Sequence, residues 1–250
     1  MSMFLFRFSF PFLSRNANGD CALHIAASRG DTDIMRILAD NSCDVNAIGS
    51  NKESALIKVA RTGIDVAVEQ VMVMQGVDVN IKDAHGSTFL HYLLHPLAHS
   101  SIHSLRSTFK STLDRIEFCL SQGWLRAESL NSRDRDLGAT PLHYLAMMTS
   151  SDDGELMFED DDDSRRKSES DAQRKADGIR AYYDKICRIA ERMTKIDGVD
   201  ANLVMVRGSR LSNHNPDFQS VYERYSNMRA HEIAEKNGHK EMVAAFLRKV

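Results

Sequence analysis

Residues 18–46, "NGDCALHIAASRGDTDIMRILADNSCDVN", decide how the rest of the chain is read. A glycine turn at Gly19 leads into Ala22-Leu23-His24, the opening of a short helix. A second turn follows at Gly30, then a segment carrying Ile34, Ile37 and Leu38 at helical spacing, and the stretch closes on Asp44-Val45-Asn46. The pattern predicts two short helices joined by a tight turn, with Leu23, Ala26, Ile34 and Leu38 on the buried face. A helix pair this small cannot bury its own apolar surface, so further copies are expected beside it.

The copies are present. Residues 54–80, "SALIKVARTGIDVAVEQVMVMQGVDVN", close on Asn80, thirty-four positions after Asn46. A third copy opens at 83–94, "DAHGSTFLHYLL", and its second helix is expected only at 113–123, "LDRIEFCLSQG". The fourth opens at 136–146, "DLGATPLHYLA", and resumes after an acidic stretch at "IRAYYDKICRIAERM" and "GVDAN", residues 198–202. A fifth, "MRAHEIAEKNGHKEMVAAFLRK", occupies 228–249. Leu23, Ala26, Ile34 and Leu38 are expected to pack on Leu56, Ala60, Val68 and Met72, and those on Leu90, Ile116 and Leu120.

This pattern resembles the ankyrin repeat, whose Gly-x-Thr-Pro-Leu-His turn, two helices and closing Asp-Val-Asn match segment by segment. The resemblance implies an all-α ankyrin-repeat solenoid of stacked helix-turn-helix units with β-turn tips and two long insertions. The implied division is an apolar N-terminal segment at 1–15, then repeat 1 at 16–46 and repeat 2 at 47–80. Repeat 3, with an insertion, takes 81–130. Repeat 4 takes 131–202 with an acidic disordered insertion at about 150–175, and repeat 5 with the C-terminal cap takes 203–250.

Composition agrees with an ordinary globular chain, 42% apolar and 27% charged. The formal charge of -3 conceals an uneven distribution: residues 152–163 hold eight acidic and no basic residues, so the remainder is net positive. Four cysteines without a CxxC pair point to reduced, packed thiols and a cytoplasmic setting, with nuclear or host-cell delivery left open. No segment has the ~20 apolar residues of a membrane span. At the start, Phe4, Phe6, Phe8, Phe10 and Phe12 alternate with Leu5, Arg7, Ser9 and Pro11. This reads as an apolar lid over whatever follows, with a targeting signal or a truncation as alternatives.

Four histidines at four-residue spacing, His91, His95, His99 and His103, raise the question of a metal site, since imidazoles four apart share a helical face. Pro96 breaks that face, and no HExxH or carboxylate partner accompanies it. By the resemblance, His24, His91 and His143 are the turn histidines, bonding Thr88 in the case of His91 and Thr140 in that of His143. No metal and no cofactor is expected. Cys21 and Cys43 show no neighbouring base in the sequence, and no phosphate-cradling loop or GxSxG is present, so no catalytic residue is assigned.

The resemblance places partner contacts on the turn tips and the outward side of the first helices: Arg29, Ser50, Asn51, Arg61, Lys82, His85, His95, Arg133, Arg135 and Asp136, with Ile48 and Ala84 beside them. Five of these are Lys or Arg, which suits a protein partner or an acidic peptide; nucleic acid is not expected, because aromatic residues are not interleaved with the cations. The acidic insertion itself is a candidate intramolecular ligand for the groove. The expected function is a non-catalytic protein–protein interaction scaffold. The alternatives are a microbial effector that targets host proteins through its repeats, and a metal-dependent enzyme built on the histidine-containing insertion. Trp124, the single tryptophan, is expected to plug a local core.

Overall fold

A computed structural model describes residues 14–94, 102–148, 169–206 and 223–247. Among these, the chain is helical throughout, with only two isolated β-bridges, Lys82 with Thr88 and Val204 with Arg229, each at the base of a turn. The chain divides into two compact units, residues 1–78 and 79–250.

The first unit holds α1 (Ala22–Arg29), α2 (Thr32–Asp40), α3 (Ala55–Thr62) and α4 (Asp65–Met72). Each pair is punctuated as its sequence dictates. Cys21 and Ser54 have extended backbone and cap the first helices, the Ser54 hydroxyl accepting the Ile57 amide. Gly30 and Gly63 stop those helices with φ of 72° and 69°, a left-handed conformation that glycine adopts without steric cost. Helix α1 packs on α2 and α3, and α2 on α4, enclosing Leu23, Met35, Leu38, Leu56, Val68, Val71 and Met72.

Ile34 does not join that core: it is 48% exposed, Ile25 on α1 is 39% exposed, and Ile37 is exposed as well. The buried side of α2 is Met35 and Leu38, one helical step round from the expected one. The register of the later repeats explains why. Counting from Gly30 and Gly63, Ile34 corresponds to Ala67, which is fully buried on the side where the preceding repeat packs. In repeat 1 that same side has no preceding repeat among the described residues.

The second unit holds α5 (Phe89–Leu94), α6 (Ile102–Ser121), the single turn α7 (Ala127–Leu130), α8 (Pro141–Met147), α9 (Glu169–Thr194), α10 (Ala230–Lys236) and α11 (Lys240–Leu247). Helices α6 and α9 begin well before the expected starts. The second helix of repeat 3 runs from Ile102 rather than 113, and α9 is helical from Glu169, so the end of the stretch at about 150–175 is helix rather than disorder. Both helices extend a normal repeat helix backwards by whole turns, which repeat register permits because added turns leave the C-terminal packing positions unchanged. Helix α9 packs on α6 and α11, and α8 on α5 and α10, around Phe89, Leu90, Leu113, Ile116, Tyr144, Ile186, Ile189, Met193 and Phe246. Leu120 is only half-buried; Cys119 takes the core position. The apolar segment at 1–13 and the acidic stretch at 149–168 lie outside the described residues, as do His95 and His99.

Candidate functional site

The turn tips are built from polar side chains that hold one repeat to the next. Asn16, Asp83 and Asp134 each stand at the head of a turn and accept its amides. Asn16 Oδ1 takes Asn18 and Asp20 at 2.9 Å, Asp83 Oδ1 takes His85 at 2.7 Å and Ser87 at 2.9 Å, and Asp134 Oδ1 takes Leu137 at 2.7 Å and Gly138 at 3.0 Å. The second oxygen of each aspartate is bound by a tyrosine hydroxyl one helix later, Tyr92 to Asp83 and Tyr144 to Asp134, both at 2.6 Å.

The turn histidines act as struts. Nδ1 of His91 accepts the Thr88 amide and bonds its hydroxyl, both at 2.9 Å, while Nε2 lies 3.1 Å from the Ser132 carbonyl of the following repeat. His24 does the same from Cys21 to the Ala47 and Glu53 carbonyls, at 2.9 and 3.1 Å. His143 bonds Thr140 in the same way, at 2.7 Å to the hydroxyl. Burial holds the His143 imidazole down to about 4 and lowers His91 as well, so both rings are neutral at physiological pH; His91 spans to the next repeat, whereas the buried Nε2 of His143 has no hydrogen-bond partner.

A third tie repeats at the end of each unit. Asn46 donates to the Gly76 carbonyl and accepts the Asp78 amide, both at 2.8 Å. Asn80 donates to Trp124 at 2.7 Å and accepts from Arg126 at 2.9 Å. Asn131 donates to Gly198 at 2.8 Å and accepts from Asp200 at 2.9 Å. Trp124 is half-buried, edge-on to Phe118 with ring centroids 5.3 Å apart, rather than a core plug.

Repeat 2 departs from this scheme. Gly49 stands where the other turns have Asn or Asp, and the Asp20 carboxylate reaches in from repeat 1 to accept the Ser50 amide at 2.8 Å and its hydroxyl at 3.0 Å. A Cβ on Gly49 would lie 2.3 Å from Asp20 Oδ1 and 2.7 Å from the His24 ring, so any side chain there must displace them. In the register of Tyr92 and Tyr144 stands Lys58. Its ammonium is buried, 3.2 Å from Glu53, 3.3 Å from Asp20 and 2.9 Å from the Ser50 hydroxyl, and Arg61 reaches Glu53 at 3.3 Å. Burial alone would raise the Asp20 carboxyl, but the Ser50 and Lys58 contacts outweigh it and hold it below its ordinary value.

Of the candidate contact residues, Ser50 and Arg61 are thus engaged in this internal cluster. Asn51 is exposed in left-handed backbone with φ of 55°, and Arg29 is exposed at the end of α1. In the second unit the tips of repeats 3 and 4 meet: the Ser132 hydroxyl donates to Gly86 at 2.7 Å, and a Cβ on Gly86 would lie 2.7 Å from the Arg133 carbonyl. His85, Arg133 and Asp136 are half-exposed there, with Lys82 and Arg135 exposed. His95 lies outside the described residues.

One expectation about chemistry is corrected. Cys21 does have a neighbouring base: its Sγ lies 2.9 Å from His24 Nδ1. Burial would raise the thiol, but the His24 contacts prevail and bring it to about 7. The sequence carried this signal, since Cys21 occupies the position of Thr88 and Thr140. The other thiols go the other way, Cys119 pushed up to about 12 and Cys187 to about 11 by burial. Among the described residues no cluster of three His, Cys, Asp or Glu could hold a metal ion, and no helix is long and apolar enough to cross a membrane.

Helix pairs joined by glycine turns and tied forward by His and Asn define a helical-repeat solenoid. The family model for ankyrin repeats in three copies matches residues 4–83 and 23–101. An ankyrin repeat domain-containing protein, SAT10 of Stachybotrys chartarum, is 31% identical over 83 residues, which span 31% of this chain and 4% of that much longer protein. The crystal structure of EF0377, an ankyrin repeat protein, superposes with a TM-score of 0.53 over 97% of this chain and 87% of that one, at 15% identity. Residues 4–101 thus match ankyrin repeats, the chain is similar in fold to ankyrin-repeat proteins, and ankyrin repeats are protein–protein interaction domains.

Proposed function

We propose that this chain is a non-catalytic, cytoplasmic scaffold that binds an acidic segment of a partner protein at the tips of repeats 3 and 4. The supporting observation is a contrast in how the cations are used. Lys58 and Arg61 neutralise acids of their own fold, whereas among the described residues no ion pair engages Lys82, Arg133 or Arg135. The latter three project from two adjoining turns on rigid elements, and arginine pairs with carboxylates through two parallel hydrogen bonds. Of the histidine run from 91 to 103 on which a metal-dependent reading would draw, His91 is engaged as a strut between repeats. Cys21 is likewise engaged, by the His24 ring that caps the same helix.

The test compares wild type with a folded Arg133→Glu/Arg135→Glu variant in affinity capture from lysate, repeated across a salt series. The expected result is a partner retained by wild type, lost by the variant and weakened by salt. Equal capture by both would remove the basic tips as the working surface.

A further inference from the structure

We infer that Cys21 and His24 form a reactive thiol–imidazole pair, an oxidation site at which the chain reduces one hydrogen peroxide molecule and keeps the oxygen as a cysteine sulfenic acid. Geometry assigns the ring's two nitrogens. His24 Nε2 lies 2.9 Å from the Ala47 carbonyl and 3.1 Å from the Glu53 carbonyl; a carbonyl only accepts, so Nε2 carries the ring proton. Nδ1 is therefore the lone-pair nitrogen, and it lies 2.9 Å from Cys21 Sγ. The thiol has a base within reach, and the base is oriented by further groups, which is the arrangement that activates a nucleophile. An imidazolium formed there keeps both carbonyl bonds. The Leu23 and His24 amides also face the sulfur, bringing donors and the positive end of α1 to a thiolate.

The equivalent positions show what is particular to Cys21. Ser54, Thr88 and Thr140 serve there with hydroxyl groups, which do not ionise at physiological pH. Burial pushes Cys119 up to about 12 and Cys187 to about 11; it raises Cys21 too, but the His24 contacts prevail and bring that thiol to about 7. About half of Cys21 is then thiolate near pH 7, against about 3% of an ordinary thiol. Of the ionisable neighbours, Cys43 stays protonated, its thiol raised by burial and by the Cys21 charge, and Asp20 stays ionised beside Ser50 and Lys58. Cys21 is only 7% exposed, which selects an oxidant as small as peroxide over a bulky disulfide. In the reaction the thiolate attacks one peroxide oxygen: the S–O bond forms as the O–O bond breaks, and sulfur gives up two electrons. The leaving hydroxide takes the proton held on His24 Nδ1 and departs as water.

The test exposes the full chain to hydrogen peroxide across a pH series, with Cys43→Ser in place so that this thiol cannot capture the sulfenic acid. Oxygen uptake is read by mass on the tryptic fragment 16–29, which holds Cys21 and no methionine. Cys187 is the internal reference, since it is the more exposed of the two and exposure alone predicts that it reacts first. The expected result is one oxygen on Cys21, removable by dithiothreitol and gained at least about tenfold faster than on Cys187. Its rate should rise through about pH 7, and His24→Gln should move that rise up by about one pH unit or more. Should His24→Gln not fold, the rate ratio and the pH profile of the Cys43→Ser chain decide. Cys187 reacting first overturns the site, as does a Cys21 rate that climbs only near pH ~8.5. A Cys21 rate that grows with urea below the unfolding transition overturns it equally, because the reaction then belongs to the opened chain.

Discussion

Replacing Lys58 by methionine tests the internal ion cluster of the first unit. The ammonium is 5% exposed and lies 3.2 Å from Glu53, itself 3% exposed, and 3.3 Å from Asp20. Methionine keeps the length and apolar stem of the lysine, so the packing of α3 changes little and the loss is electrostatic. Removing one partner of a buried pair costs about 3 to 5 kcal/mol, because the other is left charged without compensation. Arg61 still reaches Glu53 and Ser50 still serves Asp20, which puts the expected loss at the lower end, about 3 kcal/mol. Hydrogen exchange of α1 and α3 amides reads this directly: protection should fall on the order of a hundredfold, with little change in α9 to α11. The triple variant Asp20→Asn/Glu53→Gln/Lys58→Met, which removes the charges together, should recover most of that protection. The acid limb gives a second reading. Asp20 titrates below its ordinary value when folded, so its contribution is complete above that value and is lost as pH falls through the depressed one; Lys58→Met should flatten this loss. A change under threefold in α3 exchange, or a triple variant no better than the single one, would refute the assignment.

Asn131→Ala removes both bonds to the Gly198 and Asp200 backbone and should lower stability by about 1 to 2 kcal/mol in urea titration followed by circular dichroism, while Asn131→Asp keeps only the acceptor and recovers part of it. His143 titrates at about 4 when buried against an ordinary 6.5, so the unfolded chain binds its proton first; melting temperature should be flat above pH 6.5 and fall between 6.5 and 4, with a shallower fall in His143→Gln. Gly49→Ala should cost about 1 to 3 kcal/mol by driving a methyl group into the Asp20 carboxylate and the His24 ring, and Asp20→Ala should relieve part of it. Cys21→Thr places a hydroxyl where Thr88 and Thr140 have theirs and should leave melting temperature within a degree or two, whereas Cys21→Val loses the cap and about 1 kcal/mol.

The fold was legible because glycine turns and helical apolar spacing are local signals that survive insertion. The turn histidines were legible for the same reason, as His91 and His143 each sit three residues after a threonine in the sequence. What escaped was whatever depends on a neighbour absent from the local pattern. Ile34 and Leu38 read alike along α2, and only the packing of the described repeats separates the exposed one from the buried one. Lys58 reads as a solvent-facing cation until Glu53 and Asp20 are set at the same turn position of successive repeats, where their carboxylates converge. The early starts of α6 and α9 lie outside any repeat template, so periodicity anchored on the template begins too late.

The asparagine ties carry a consequence for how such a chain can change. Asn80 and Asn131 fix the register of the next repeat through its closing loop, and the histidines fix it through its opening turn. Each asparagine sets two backbone partners of the following repeat at once, so a change at Asn80 or Asn131 loosens the closing loop of the next repeat as well as its own turn.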